Sequence, residues 1–148
     1  MASVLIDTTV LVYAYDRGEI VKQEQAIKVL EHLQTASMGR ISVQALAEFF
    51  RATTKGATPI LSIEQASQQL AELARTWRVL NLTPPVVLEA ARGVRDHQLA
   101  YYDAQLWAMA KLNQIPVVFS EDFSAGQSLE GIRFVNPFAP DLVIENWA

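Results

Sequence analysis

Four short segments carry a carboxylate in a setting where it can do chemistry: Ile6-Asp7-Thr8-Thr9, Ala47-Glu48-Phe49-Phe50, Tyr101-Tyr102-Asp103-Ala104 and Ser120-Glu121-Asp122-Phe123. The first is the sharpest, because the apolar run Val4-Leu5-Ile6 stops abruptly at Asp7. Carboxylates brought together can hold a hard divalent cation, which prefers oxygen ligands. Each acid also has an ordinary reading. Asp7 can cap a helix beginning near Thr9, and Asp103 can be a helix N-cap. Glu48 can pair with Arg51, three residues on along an exposed helix face. Asp122 can be a turn residue.

Other chemistries find less support. With no cysteine in the chain, disulfides, thiolate catalysis and cysteine-based zinc sites are excluded. There is no Ser-His-Asp order, no Gly-rich phosphate loop and no H-E-x-x-H motif. Asp16, Asp96 and Glu121 read as surface or turn residues. His32 reads as structural, on a helix. His97, six residues before Asp103, reads as a loop histidine, with contact to substrate as the alternative.

The elements that must position the acids can be read from apolar spacing. Val4 to Ile6, Arg40 to Val43, Val79 to Leu82, Val117 to Phe119 and Ile132 to Val135 read as short strands. Ile20, Ile27, Leu30 and Leu33 mark a helix of about four turns, and Leu46, Phe49, Phe50 and Thr53 mark a face of another. Ser62-x-x-Gln65 has the form of a capping box ahead of the stripe Ala66, Leu70, Leu73, Trp77. Thr83-Pro84 reads as a hydroxyl cap and a first-turn proline, with Val87, Ala91 and Val94 on the inward face that follows. Asp103 to Asn113 is expected to turn Leu106, Trp107 and Ala110 inward. Short apolar strands alternating with helices predict an α/β fold, a parallel sheet covered on both faces. Ligands of such sheets bind beyond the carboxyl ends of the strands, where Asp7 and Asp122 both fall.

The order and spacing of these segments resemble the PIN-domain nucleases, and particularly the VapC-like toxins of bacterial type II toxin–antitoxin pairs. The opening IDTTVLVYAYD is similar to the family's first strand and first acid. A helical acid at AEFF follows, then YYDAQLWAMA, IPVVFSEDF and the closing VNPF. The resemblance covers nearly the whole chain and implies a single three-layer α/β/α domain over residues 1–148. It also implies a metal-dependent endoribonuclease that uses Mg2+ or Mn2+ and a metal-activated water to hydrolyse phosphodiester bonds in RNA. The family's functional residues map onto Asp7, Glu48, Asp103 and Asp122, with Asp7 and Asp103 as direct metal ligands, Asp122 on a second ion or a metal-bound water, and Glu48 either doing the same or orienting the attacking water. Thr9 stands where many members carry Asn, and its hydroxyl can still orient a carboxylate or a water. Ser120 offers a similar hydroxyl two positions before Asp122. A small antitoxin and a second copy of the chain are the implied protein partners, and RNA the implied substrate.

Composition bounds these expectations. A chain of 148 residues with 51% hydrophobic and 19% charged residues suits one globular domain. No apolar stretch approaches the roughly 20 residues of a membrane span. The N-terminus carries no signal-peptide pattern, so a cytoplasmic location is expected. The formal charge of −4 argues against binding nucleic acid through a broad basic face. A phosphotransferase using Asp7 as nucleophile would want a second Asp where Thr9 stands. A catalytically silent PIN-like scaffold would not need all four acids.

Overall fold

The structure, a computed structural model, describes residues 2–121 and 126–147. Its centre is a six-stranded sheet: β1 (Val4–Ile6), β2 (Gly39–Ser42), β3 (Arg78–Leu80), β4 (Val117–Phe119), β5 (Ser128–Leu129) and β6 (Ile132–Val135), in the order β3-β2-β1-β4-β6-β5. All pairings are parallel except β5–β6. That last pair is a hairpin whose two turn residues, Glu130 and Gly131, both have positive φ, at 50° and 87°. This matches the right-handed twist of the strands. Among the described residues the α-helices are α1 (Thr8–Tyr13), α2 (Ile20–Thr35), α3 (Val43–Thr54), α4 (Ile63–Thr76), α5 (Pro84–His97) and α6 (Tyr101–Leu112).

Strand alternation divides the core in two. Val4 and Ile6 of β1, with Val117 and Phe119 of β4, pack into one layer with α1 to α4. Leu5 and Val118 point the other way, into a layer built on α5 and α6 around Trp107. The result is the expected α/β/α sandwich with a mostly parallel sheet. Among the described residues, no helix is long and apolar enough to cross a membrane.

Several boundaries differ from the sequence expectation, each for a local reason. Val43 leaves the strand and opens α3, because the Ser42 hydroxyl caps that helix by accepting from the Ala45 N–H at 3.0 Å. The helix expected from Asp103 begins at Tyr101, so Asp103 lies inside the first turn and Ala100 is the N-cap. The capping box at Ser62 and Gln65 forms in both directions. Thr83, in contrast, makes no side-chain cap; its carbonyl accepts from Val87 instead. On α2 the buried stripe is Ala26, Val29 and Leu33, leaving Ile20 and Ile27 exposed.

Candidate active site

The sheet register builds the site. Ile6 of β1 pairs with Phe119 of β4, so the next residues, Asp7 and Ser120, emerge side by side at the carboxyl edge. Asp7 N–H still donates to the Phe119 carbonyl at 3.0 Å, which fixes the backbone at that point. Asp7 is then the N-cap of α1: its Oδ1 accepts from Thr8 N–H at 2.7 Å. Its Oδ2 accepts from the Ser120 hydroxyl at 2.9 Å. Capping and site membership are thus compatible, and one carboxylate does both.

Glu48 arrives from α3, one strand over. It makes no ion pair with Arg51 among the described residues. Instead Oε2 accepts from Thr8 Oγ1 at 3.0 Å and Oε1 from Gln44 Nε2 at 2.6 Å. Both carboxylate oxygens are held before any ligand arrives. Thr8 and Gln44 are therefore parts of the site that the sequence reading missed. Gln44 had a signal, its i,i+4 spacing from Glu48 on one helix. Thr8 had none beyond adjacency to Asp7.

Asp103 comes from α6, on the opposite face of the sheet. Asp7, Glu48 and Asp103 are each half-buried and line one cavity of ≈ 460 Å3 at the carboxyl edge of the sheet. Thr9 lines it as well, and its buried Oγ1 has no hydrogen-bond partner among the described residues. Tyr13 forms part of the wall, its phenol donating to Glu121 at 3.0 Å. Burial is the main cause of that phenol's raised pKa, opposed by the hydrogen bond from Lys22. Asp122 lies outside the described residues.

Other residues weighed from the sequence fall elsewhere. Glu121 pairs with Lys22 at 2.5 Å. Asp16 accepts from Gly18 N–H in a turn, and His32 bonds the Trp147 carbonyl. His97 is not in a loop: it is the last residue of α5, with Nε2 2.6 Å from Glu130. It belongs to an ionic cluster with Arg92, Asp96, Lys111 and Glu89. There Arg92 first, and Lys111 second, hold the Glu89 carboxyl down at about 2.

A divalent cation suits this cavity in kind. Every donor from the three acids is a carboxylate oxygen, and the Thr9 hydroxyl beside them is buried without a partner among the described residues. Among the described residues, no three acids or histidines stand close enough to form a ready-made cage. Mg2+ keeps several waters and is bound through one or two carboxylates.

Residues 4–125 match the PIN domain family model. The chain belongs to the PIN domain family. No curated protein matches the sequence. Three solved structures are similar in fold. A toxin–antitoxin complex from Klebsiella pneumoniae aligns at 19% identity over 91% of this chain and 98% of that one, with a TM-score of 0.67. Mycobacterium tuberculosis VapC20, a toxin that cleaves the sarcin–ricin loop, aligns at 17% identity over 81% and 92%, TM-score 0.62. DNA-bound VapBC from Salmonella typhimurium aligns at 17% identity over 90% and 97%, TM-score 0.64. These identities speak to the fold, and to this PIN-family fold the cavity acids are added.

Proposed function

We propose that this PIN-domain protein is a metal-dependent endoribonuclease and the toxin of a toxin–antitoxin pair, folded as one domain. The observation that carries the reading is the convergence of Asp7, Glu48 and Asp103, from three separate elements, on one cavity. Fold likeness to VapC-type toxins supports it.

In this reading Asp7 and Asp103 hold Mg2+ or Mn2+, joined by Asp122. The ion supplies counter-charge to the scissile phosphate and lowers the cost of ionising water. Ser120 and the Thr8 N–H fix the Asp7 carboxylate at the wall of the cavity. Glu48, clamped by Thr8 and Gln44, orients the attacking water and accepts its proton. The Thr9 hydroxyl hydrogen-bonds a water of the site. A small antitoxin covers this cavity, and two copies of the chain associate.

Cleavage of RNA by the purified chain tests the reading. Activity is expected with Mg2+ or Mn2+, lost with chelator, and reduced at least 100-fold, roughly the low end for removing a positioned catalytic group, in Asp7→Asn and Asp103→Asn. Because water attacks, the products should carry 5′-phosphate and 3′-hydroxyl ends. Ends bearing a 2′,3′-cyclic phosphate would make the RNA's own 2′-hydroxyl the nucleophile and overturn the mechanism. Metal-independent cleavage would overturn the metal mechanism, and absent cleavage would leave a scaffold.

A further inference from the structure

One wall of the cavity is not explained by the acids. Tyr102 lines it directly beside Asp103 and is 67% exposed, on a helix whose other face is buried. Its ring is nonetheless braced. The Tyr101 ring meets it edge-on, centroids 5.2 Å apart at 77°. Tyr101 is in turn tied down by its hydroxyl, which donates to the buried Gln105 at 2.9 Å. An aromatic face is thus held open to solvent at the mouth of the site.

From α3, Arg51 reaches the same cavity, one turn beyond Glu48. It is exposed and makes no ion pair among the described residues, whereas Arg75, Arg92 and Arg95 are all paired. The cavity's ≈ 460 Å3 also exceeds what an ion needs. Six waters at ~30 Å3 each fill less than half of it. Val12, Leu106 and Met109 give part of the remaining surface an apolar lining.

We propose that Tyr102 and Arg51 form a nucleotide subsite, in which Tyr102 stacks on an unpaired base beside the scissile phosphate and Arg51 binds a flanking phosphate. The proposal rests on the RNA-nuclease reading and gives it a substrate form. A cavity rich in carboxylates repels the phosphate backbone wherever no cation offsets it, and a neutral base face adds affinity that this repulsion does not reduce. Stacking of this kind needs a base splayed out of its helix, as in single-stranded loops and ends, because paired bases have both faces covered. The planar guanidinium suits phosphate oxygens.

The test uses a short single-stranded RNA containing 2-aminopurine, whose fluorescence falls on stacking, titrated with the Asp103→Asn chain in Mg2+ so that the probe is not consumed. The chain should quench the probe, and adding Tyr102→Ala should abolish quenching and weaken binding roughly 5- to 150-fold, the range for losing one base–aromatic stack. Tyr102→Phe, which keeps the ring, should restore both, and Arg51→Ala should weaken binding while leaving the quench at saturation. In the otherwise wild-type chain, Tyr102→Ala should raise KM for RNA cleavage and leave kcat nearly unchanged. Equal quenching and affinity in Tyr102→Ala, or equal binding of the same sequence as a duplex, would overturn the subsite. Normal cleavage with an unaffected Tyr102→Ala removes the subsite and keeps the nuclease. Tyr102-dependent quenching without any metal-dependent RNA cleavage by the wild type does the reverse.

Discussion

Asp7 accepts from Thr8 N–H with one oxygen and from Ser120 with the other, yet shares a cavity with two further carboxylates. Asparagine preserves the first contact, since it caps about as well as aspartate. It keeps the second too, because a serine hydroxyl can turn to accept from an amide. What asparagine removes is the charge. Relief of like-charge repulsion at such a site is worth on the order of 1 kcal/mol after screening. In chelator, Asp7→Asn and Asp103→Asn should therefore melt higher than wild type, by about 2–4 °C for a chain of this size. The gain in melting temperature on adding Mg2+ or Mn2+ should shrink in both, since ligand binding stabilises by mass action. Thermal melts with and without metal check both outcomes; variants that melt no higher, with the metal gain intact, would mean the acids hold no ion. At this scale Asp7 and Glu48 were legible in the sequence because one follows a strand and the other sits in the helix after one, and Asp103 because it opens a helical apolar pattern. Their fastenings were not: Thr8 meets Glu48 only once α1 packs on α3, and Arg51 is drawn away from the helical partner its spacing suggested.

The helices were legible as elements, but not always as faces. On α5 the apolar residues fall on adjoining stripes, and spacing alone favoured Val87, Ala91 and Val94. The structure buries Val86, Ala90 and Gly93 instead. These smaller residues let α5 approach α6 closely, a contact that hydrophobicity does not advertise. A Cβ built at Gly93 would stand 2.9 Å from Trp107 Cζ3 and 3.0 Å from Cε3. Trp107 cannot easily yield, because its indole N–H donates to the Leu129 carbonyl at 3.1 Å and Arg92 and Lys111 lie over its ring. Replacing glycine by alanine inside a helix ordinarily stabilises by about 1 kcal/mol. Here overpacking should reverse the sign, so Gly93→Ala is expected to destabilise by about 1–3 kcal/mol, read as a lowered midpoint in urea. A raised midpoint would mean that α5 and α6 can separate at no cost. Strand β6 was legible with its observed bounds, Ile132 to Val135, but its partner β5 escaped the sequence reading because two strand residues are too few to show a period.

For the whole molecule, the formal charge of −4 understates how little positive charge is available to nucleic acid. Lys22, Lys28, Arg75, Arg92, Arg95 and Lys111 are all engaged in ion pairs. Arg40 is turned back onto the carbonyls of Ser37 and Gly39. Of the basic residues, Arg51 alone lines the acidic cavity. Arg17, Lys55, Arg78 and Arg133 are exposed and make no ion pair among the described residues, but none of them lines the cavity, so binding at the site draws on the ion, a stacked base and very few phosphate contacts. Each contact to a single strand contributes about −0.7 to the slope of log K against log salt. Two or three contacts then weaken binding only about 7- to 18-fold between 50 and 200 mM salt, whereas ~6–10 contacts on a duplex cost about 10³–10⁵-fold. Fluorescence anisotropy of a labelled single strand, titrated with the Asp103→Asn chain in Mg2+ at a series of KCl concentrations, measures the slope directly. Binding by the isolated chain should show the shallow dependence, and Arg51→Ala should flatten it further by about one contact. A steep slope that survives Arg51→Ala would mean that a basic track does form, either from Arg17, Lys55, Arg78 and Arg133, which are exposed and make no ion pair among the described residues, or from paired residues that exchange their carboxylates for phosphates on binding.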